Sequence, residues 1–173
     1  MNYCDAREGR LLLDTPLGRL RLRTAHSRLL ECRFDDLMRP FPSGGGAHTA
    51  LLDRAADAVA RYLVSPNVPL REELAPPSHR GDRLLRQALD RVPAGEVIEM
   101  AGLLRLLDEP DRSAPLLRRA IIDNPLELFV PTHRVLGAGA GLRRGSVAAQ
   151  RRQWELLRHE GALPLPRMPR GIT

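Results

Sequence analysis

Proline divides this chain. From Ser65 to Gly81 the sequence reads SPNVPLREELAPPSHRG, with prolines at 66, 69, 76 and 77. Proline has no amide donor and clashes with the preceding helical turn, so neither a helix nor a central strand runs through such a stretch. Packed units must lie on either side of it. Residues 1–70 are expected to form an N-terminal α/β domain and 71–81 a linker. Residues 82–161 form a second domain, and 162–173, "ALPLPRMPRGIT", a flexible tail.

On the N-terminal side, "TPLG" is a turn signal and Leu20-Arg21-Leu22-Arg23 alternates with the period of a strand. "PSGGG" at 42–46 reads as a loop. Leu52, Ala55, Val59 and Leu63 then recur at helical spacing before Pro66. On the C-terminal side, Leu85, Ala88, Leu89 and Val92 make one helical face, ended by Pro93-Ala94-Gly95. A strand-like "EVIEM" leads into a helix over "AGLLRLL". Ser113 is placed to cap a second helix, "PLLRRAII", with Pro115 in its first turn, where a missing amide costs little. Two short helices joined by a short loop predict a helix-turn-helix. A bend at "LELFVPTHRVL" precedes a last helix over Val147–Glu160, with Gly161 as its cap and Val147, Trp154 and Leu157 on one face. The fold class expected is α/β: a small sheet-plus-helix domain, then a mostly helical domain with a helix-turn-helix and an active-site loop.

Composition narrows the function. Aromatics are 3% of the chain, so the cores rest on aliphatic side chains. No apolar run reaches the length of a membrane span, and no secretory leader is visible at the start. Two cysteines are too few for a disulfide framework, which makes the cytoplasm the expected compartment. Net charge is +6, and every basic residue is arginine. Up to Leu74, 11 Arg face 10 acids; from Ala75, 16 face 11, so the excess sits in the second half. Arginine suits phosphate contacts, and this asymmetry favours a polyanion partner there.

The segment "NPLELFVPTHRVLGAGAGLRRG…QRRQWELLRHEG" resembles the active-site region of the O6-alkylguanine-DNA alkyltransferases. "ALDRVPAGEVIEMAGLLRLL" and, more weakly, "DTPLGRLRLRT" resemble upstream parts of the same family. The resemblance implies a helix-turn-helix that enters the DNA minor groove and flips a damaged guanine into a pocket. There a cysteine takes the alkyl group, activated through water by a His that a Glu orients. By that resemblance His133 and Glu160 match the His and Glu, and Asn124 matches the Asn joining the recognition helix to the loop. The cysteine position holds Thr132. The family's tyrosine position holds Met100. Its stack-filling arginine falls at Ala114 or Pro115, with Arg112 nearby as a substitute. The family's small recognition-helix residues are partly replaced by Arg118 and Arg119, and its lid loop survives only as "LRRGSVAA".

A thiol near pKa 8.5 yields a soft thiolate beside a base. A threonine hydroxyl is far less acidic, and its branched Cβ crowds the approach. Thr132 is therefore read as a pocket-lining remnant. The His133–Glu160 pair is read as a tie between loop and last helix, and Asn124 as a brace for the loop backbone. Arg118, Arg119, Arg143, Arg144 and Arg112 are the expected DNA contacts, against the alternative that they are merely solvated. Cys4, Cys32, His26 and His79 have no zinc-site spacing, so no metal is expected, and no cofactor.

The function expected is a catalytically inactive homologue that binds double-stranded DNA as a monomer, with repair proteins as further partners and no membrane contact. Alkyltransferase-like proteins, which also lack the cysteine, are the nearest analogy, although they keep the tyrosine and arginine missing here. The alternatives are a pseudoenzyme used as a protein-interaction module and a residual alkyltransferase.

Overall fold

The computed structural model describes residues 8–36, 38, 40, 49–66, 74–137, 139, 141, 145–163 and 165–166. Its contacts divide the chain into two units. The first holds residues 1–76 and 125–129, the second 77–124 and 130–173.

The first unit is an antiparallel sheet of β1 (Gly9–Thr15), β2 (Gly18–Ala25) and β3 (Arg28–Phe34), with the helix α1 (Ala50–Val64). The alternation in β2 sorts the two faces. Leu20, Leu22 and Thr24 are buried, while Arg19, Arg21 and Arg23 lie on the other side. Helix α1 brings Leu52, Ala55, Ala58, Val59 and Tyr62 into this core. Its cap Thr49 accepts from the Leu52 amide and also bonds Thr24 across to β2. The "TPLG" turn closes β1 onto β2 at Thr15 and Gly18. The β2–β3 turn uses His26 and Ser27, both at positive φ (50° and 56°), a geometry that usually selects Asn or Gly. No turn residue announces it.

The outer edge of β3 is bridged twice. Leu74 pairs beside Leu29, and Leu126 beside Cys32. Cys32 donates to the Pro125 carbonyl at 2.8 Å, and Glu127 donates back to Cys32 at 2.9 Å. Segment 125–129 thus leaves the sequence neighbourhood of the second domain, to which composition assigned it, and supplies strand-like bonds to an edge that would otherwise stay open.

The second unit contains α2 (Arg80–Leu89), β4 (Ile98–Glu99), α3 (Met100–Leu106), α4 (Ala114–Asp123), β5 (Val135–Leu136) and α5 (Val147–His159). β4 and β5 pair in parallel. Helices α3 and α4 with their short turn form the expected helix-turn-helix. Helix α2 packs on α4 through Gly81, where an added Cβ would lie 3.0 Å from the Leu116 carbonyl oxygen. Ser113 does precede α4, but its side chain caps nothing: the hydroxyl donates to Glu109 at 2.6 Å, because a 3₁₀ turn over Asp111–Ser113 leads directly into the helix.

Helix α5 is rotated from the expected face. Val147 is 61% exposed and Trp154 half-buried, with Arg158 stacked over its ring. The buried face carries Gln153, Leu156 and Leu157. Of residues 162–173, read from their proline content as a loose tail, the first few include packed positions, and 164 and 167–173 lie outside the described residues. Gly161 turns the chain at φ 71°, Ala162 is buried, and Leu165 packs on Leu136 and Leu157.

Candidate nucleic-acid interface and the Thr132 loop

The chain leaves the second unit after Asn124 and re-enters at Val130. The Asn124 amide Nδ2 donates to the Val130 carbonyl at 3.0 Å, in a buried position. One side chain therefore closes the neck of the excursion and ties the end of α4 to the start of the loop. Pro131 follows, then a 3₁₀ turn over Thr132–Arg134. Thr132 and His133 are each 3% exposed.

His133 Nε2 lies 2.9 Å from Glu160 Oε1, across 27 residues of sequence. The same carboxylate is gripped from the other side by Arg134, whose Nε donates to Oε2 at 2.9 Å and whose Nη2 donates to Oε1 at 2.8 Å. Arg134 Nη1 also donates to the Val92 carbonyl at 2.6 Å. Burial by itself would raise the Glu160 carboxyl. The hydrogen bonds from His133 and Arg134, with their charges, outweigh it and hold the group well below the usual carboxylate range. Gln153 Nε2 donates to the carbonyls of His133 and Val135, both at 2.9 Å. The loop is thus held at three of its residues by Gln153 of α5 and by Glu160 just after the helix. Arg134 and Gln153 were not among the sequence-based site candidates. A faint signal existed for Gln153: it stands seven residues before Glu160, on one helical face that is otherwise apolar.

Asn124, Thr132, His133 and Glu160 therefore meet in one buried assembly. The expected DNA contacts lie elsewhere in the unit. Arg118 and Arg119 are exposed on α4, beside Pro115 and an Ile122 that is 71% exposed. Arg112 is exposed in the turn before α4, while Met100 opens α3 and is half-buried. Arg119 is ion-paired with Asp123, one turn along. Among the described residues Arg118 makes no ion pair. Arg143 and Arg144, like Cys4, lie outside the described residues.

Among the described residues no cluster of His, Cys, Asp or Glu could hold a metal ion, and no helix is long and apolar enough to cross a membrane. Cys32 is fully buried in the first unit. Burial, with the nearby Glu127 charge, pushes its thiol far above the usual range against an opposing bond from the Leu128 backbone. It has no access to the thiolate chemistry of a reactive cysteine.

Residues 82–162 match the family model described as the DNA-binding domain of 6-O-methylguanine DNA methyltransferase. That stretch is therefore similar to the DNA-binding domain of those methyltransferases. A methylated-DNA–protein-cysteine methyltransferase of Salmonella typhimurium is 39% identical over 79 residues, which cover 46% of this chain and 45% of that protein. A counterpart of the same name from Shigella flexneri is 35% identical over 79 residues. The match thus spans less than half the length of these relatives.

Solved structures extend the likeness to the whole fold. The O6-methylguanine methyltransferase of Mycobacterium tuberculosis superposes with a TM-score of 0.71 at 24% identity, over 89% of this chain and 93% of that one. A structure of the same organism's protein in complex with DNA gives 0.73 at 23% identity, over 87% and 91%. The fold is therefore that of the methyltransferases: a three-stranded sheet domain followed by a helical domain.

Proposed function

We propose that the second unit binds duplex DNA through α3 and α4, and that the protein transfers no alkyl group to itself. One observation carries this reading: a helix-turn-helix with an outward Arg118 shares a domain with a site loop that presents a buried hydroxyl, at Thr132, where the family resemblance puts the acceptor sulfur. The match to a DNA-binding domain supports the first half. The second half rests on chemistry. The Thr132 hydroxyl is a weak nucleophile toward an alkyl carbon. Glu160 is already forked by Arg134, so the His133–Glu160 pair is built to brace the loop. Cys32, the cysteine within the described residues, is a sequestered thiol in the other unit. Arg112, Arg143 and Arg144 are further proposed phosphate contacts. A domain that holds DNA without reacting suits the marking of a site for repair proteins.

The test is duplex affinity with and without O6-methylguanine, measured across a salt series. A steep salt dependence without lesion preference is expected. Absence of binding at low salt would sink the DNA reading. Alkyl uptake by Thr132→Cys is expected to be negligible, because Met100 and the Ala114–Pro115 pair stand where the resemblance expects the flipping tyrosine and arginine. Robust uptake by that variant would show that the pocket is intact and only the sulfur is missing.

A further inference from the structure

We infer that Asp123 is a built-in competitor for phosphate that takes Arg119 out of the DNA-facing charge of α4. The inference rests on the reading of α4 as the DNA-contacting helix. Arg119 Nε donates to Asp123 Oδ2 one turn further on, and both side chains face solvent, at 77% and 49% exposure. Arg118 and Ile122 stand on the same exposed side.

Local helix physics gives little reason for an acid at this position. Asp123 is the last residue of α4, where the carbonyl ends carry partial negative charge and disfavour a carboxylate. The basic residue precedes the acid by four, which is the weaker order for such a pair. The pair contributes no net charge to the face, and an approaching phosphate meets the Asp123 carboxylate before it can claim Arg119. Of the two adjacent arginines, Arg118 is left to supply the contact. Binding that forgoes one available cation is weaker, which suits a protein that samples duplexes without reacting.

The consequence is quantitative, because each phosphate neutralised adds about 0.9 to the slope of log K against log salt. Asp123→Asn is expected to bind undamaged duplex more tightly and to steepen that slope by about one contact. Its affinity should then fall about 3.5-fold more than wild type's between 50 and 200 mM salt. Arg118→Ala should lose about one contact's worth of slope, whereas Arg119→Ala, which leaves the Asp123 carboxylate without its partner, should lower affinity but leave the slope near wild type. In the Asp123→Asn background, Arg119→Ala should become as costly as Arg118→Ala.

Circular dichroism and thermal midpoints of all variants provide the folding control. Asp123→Asn should fold at least as well as wild type, since it removes a charge that the helix end disfavours. If Arg119→Ala lowers the slope as much as Arg118→Ala in the wild-type background, or if Asp123→Asn leaves the slope unchanged, Asp123 is no competitor. Binding by wild type and loss with Arg118→Ala keep the DNA reading in place in those cases. If no variant binds duplex at low salt, the DNA reading fails first and this inference falls with it.

Discussion

On the outer face of the first unit's sheet, Arg10, Arg19, Arg21, Arg23 and Arg33 lie 2.9–3.9 Å from Glu8, Asp14, Glu31, Asp35 and Glu127. Arg19 stands across from Asp14 and Arg23 from Glu31, while Arg10 and Arg33 face Arg23 and Arg21; most of these pairs are partly open to water, Arg21–Asp35 excepted, at 19% and 5% exposure. In the second unit, Arg134 makes the same kind of pair with Glu160, but the carboxylate side chain is 0% exposed and the guanidinium 13%. The chemistry of the contact is alike in the two places; the solvent is not. Exposed pairs are screened and give little, whereas a buried pair that loses one member strands the other in a medium that cannot solvate it. The comparison also separates both groups from Arg118, which is left to the outside.

The largest effect should follow from Glu160→Gln. It leaves Arg134 buried without a counter-charge, at a cost of about 3–5 kcal/mol. Chemical denaturation read by signals from the second unit would show it, and an unchanged midpoint would mean that the cluster is solvated in solution. The same carboxylate fixes the pH dependence. Its pKa is depressed in the folded protein, so its contribution is fully present above the ordinary glutamate value of 4.5 and is lost as pH falls below that value. Acid titration of stability should therefore be steeper for wild type than for Glu160→Gln below pH 4.5.

Gln153→Leu comes next. It removes the donor shared by the His133 and Val135 carbonyls, and stranding buried acceptors costs about 1–3 kcal/mol. Hydrogen exchange should rise at the loop while the sheet domain stays protected; uniform loosening of both units would contradict this placement of the strain. The smallest effect belongs to the sheet face. Arg33→Ala, which removes the pair with Glu127, should change stability by under about 1 kcal/mol, and by less in high salt. A loss as large as that of Glu160→Gln would break the comparison.

Much of this was legible because it is local. Period-two alternation in β2, helical spacing in α1 and α2, and the proline-bearing first turn of α4 follow from how neighbouring residues project from the backbone. The α5 face was misjudged because periodicity counts apolar residues. The buried face of this helix includes Gln153, held by backbone carbonyls 18 and 20 residues away, while Val147 at its exposed first turn is left in water. The β2–β3 turn was silent because His26 and Ser27 adopt a left-handed geometry without the residues that signal it.

The sequence by itself determined the division at the proline-rich stretch, the helix-turn-helix and the presence of a hydroxyl at Thr132. Tertiary structure alone decided that Pro125–Phe129 belongs with the sheet, that Asn124 closes the neck of that excursion, and that Glu160 is shared between His133 and Arg134. Secondary structure is written in spacings of two to four residues. A buried carboxylate finds its partners only when distant segments pack around it, and then the cost of leaving a charge unsolvated selects which of them must be there.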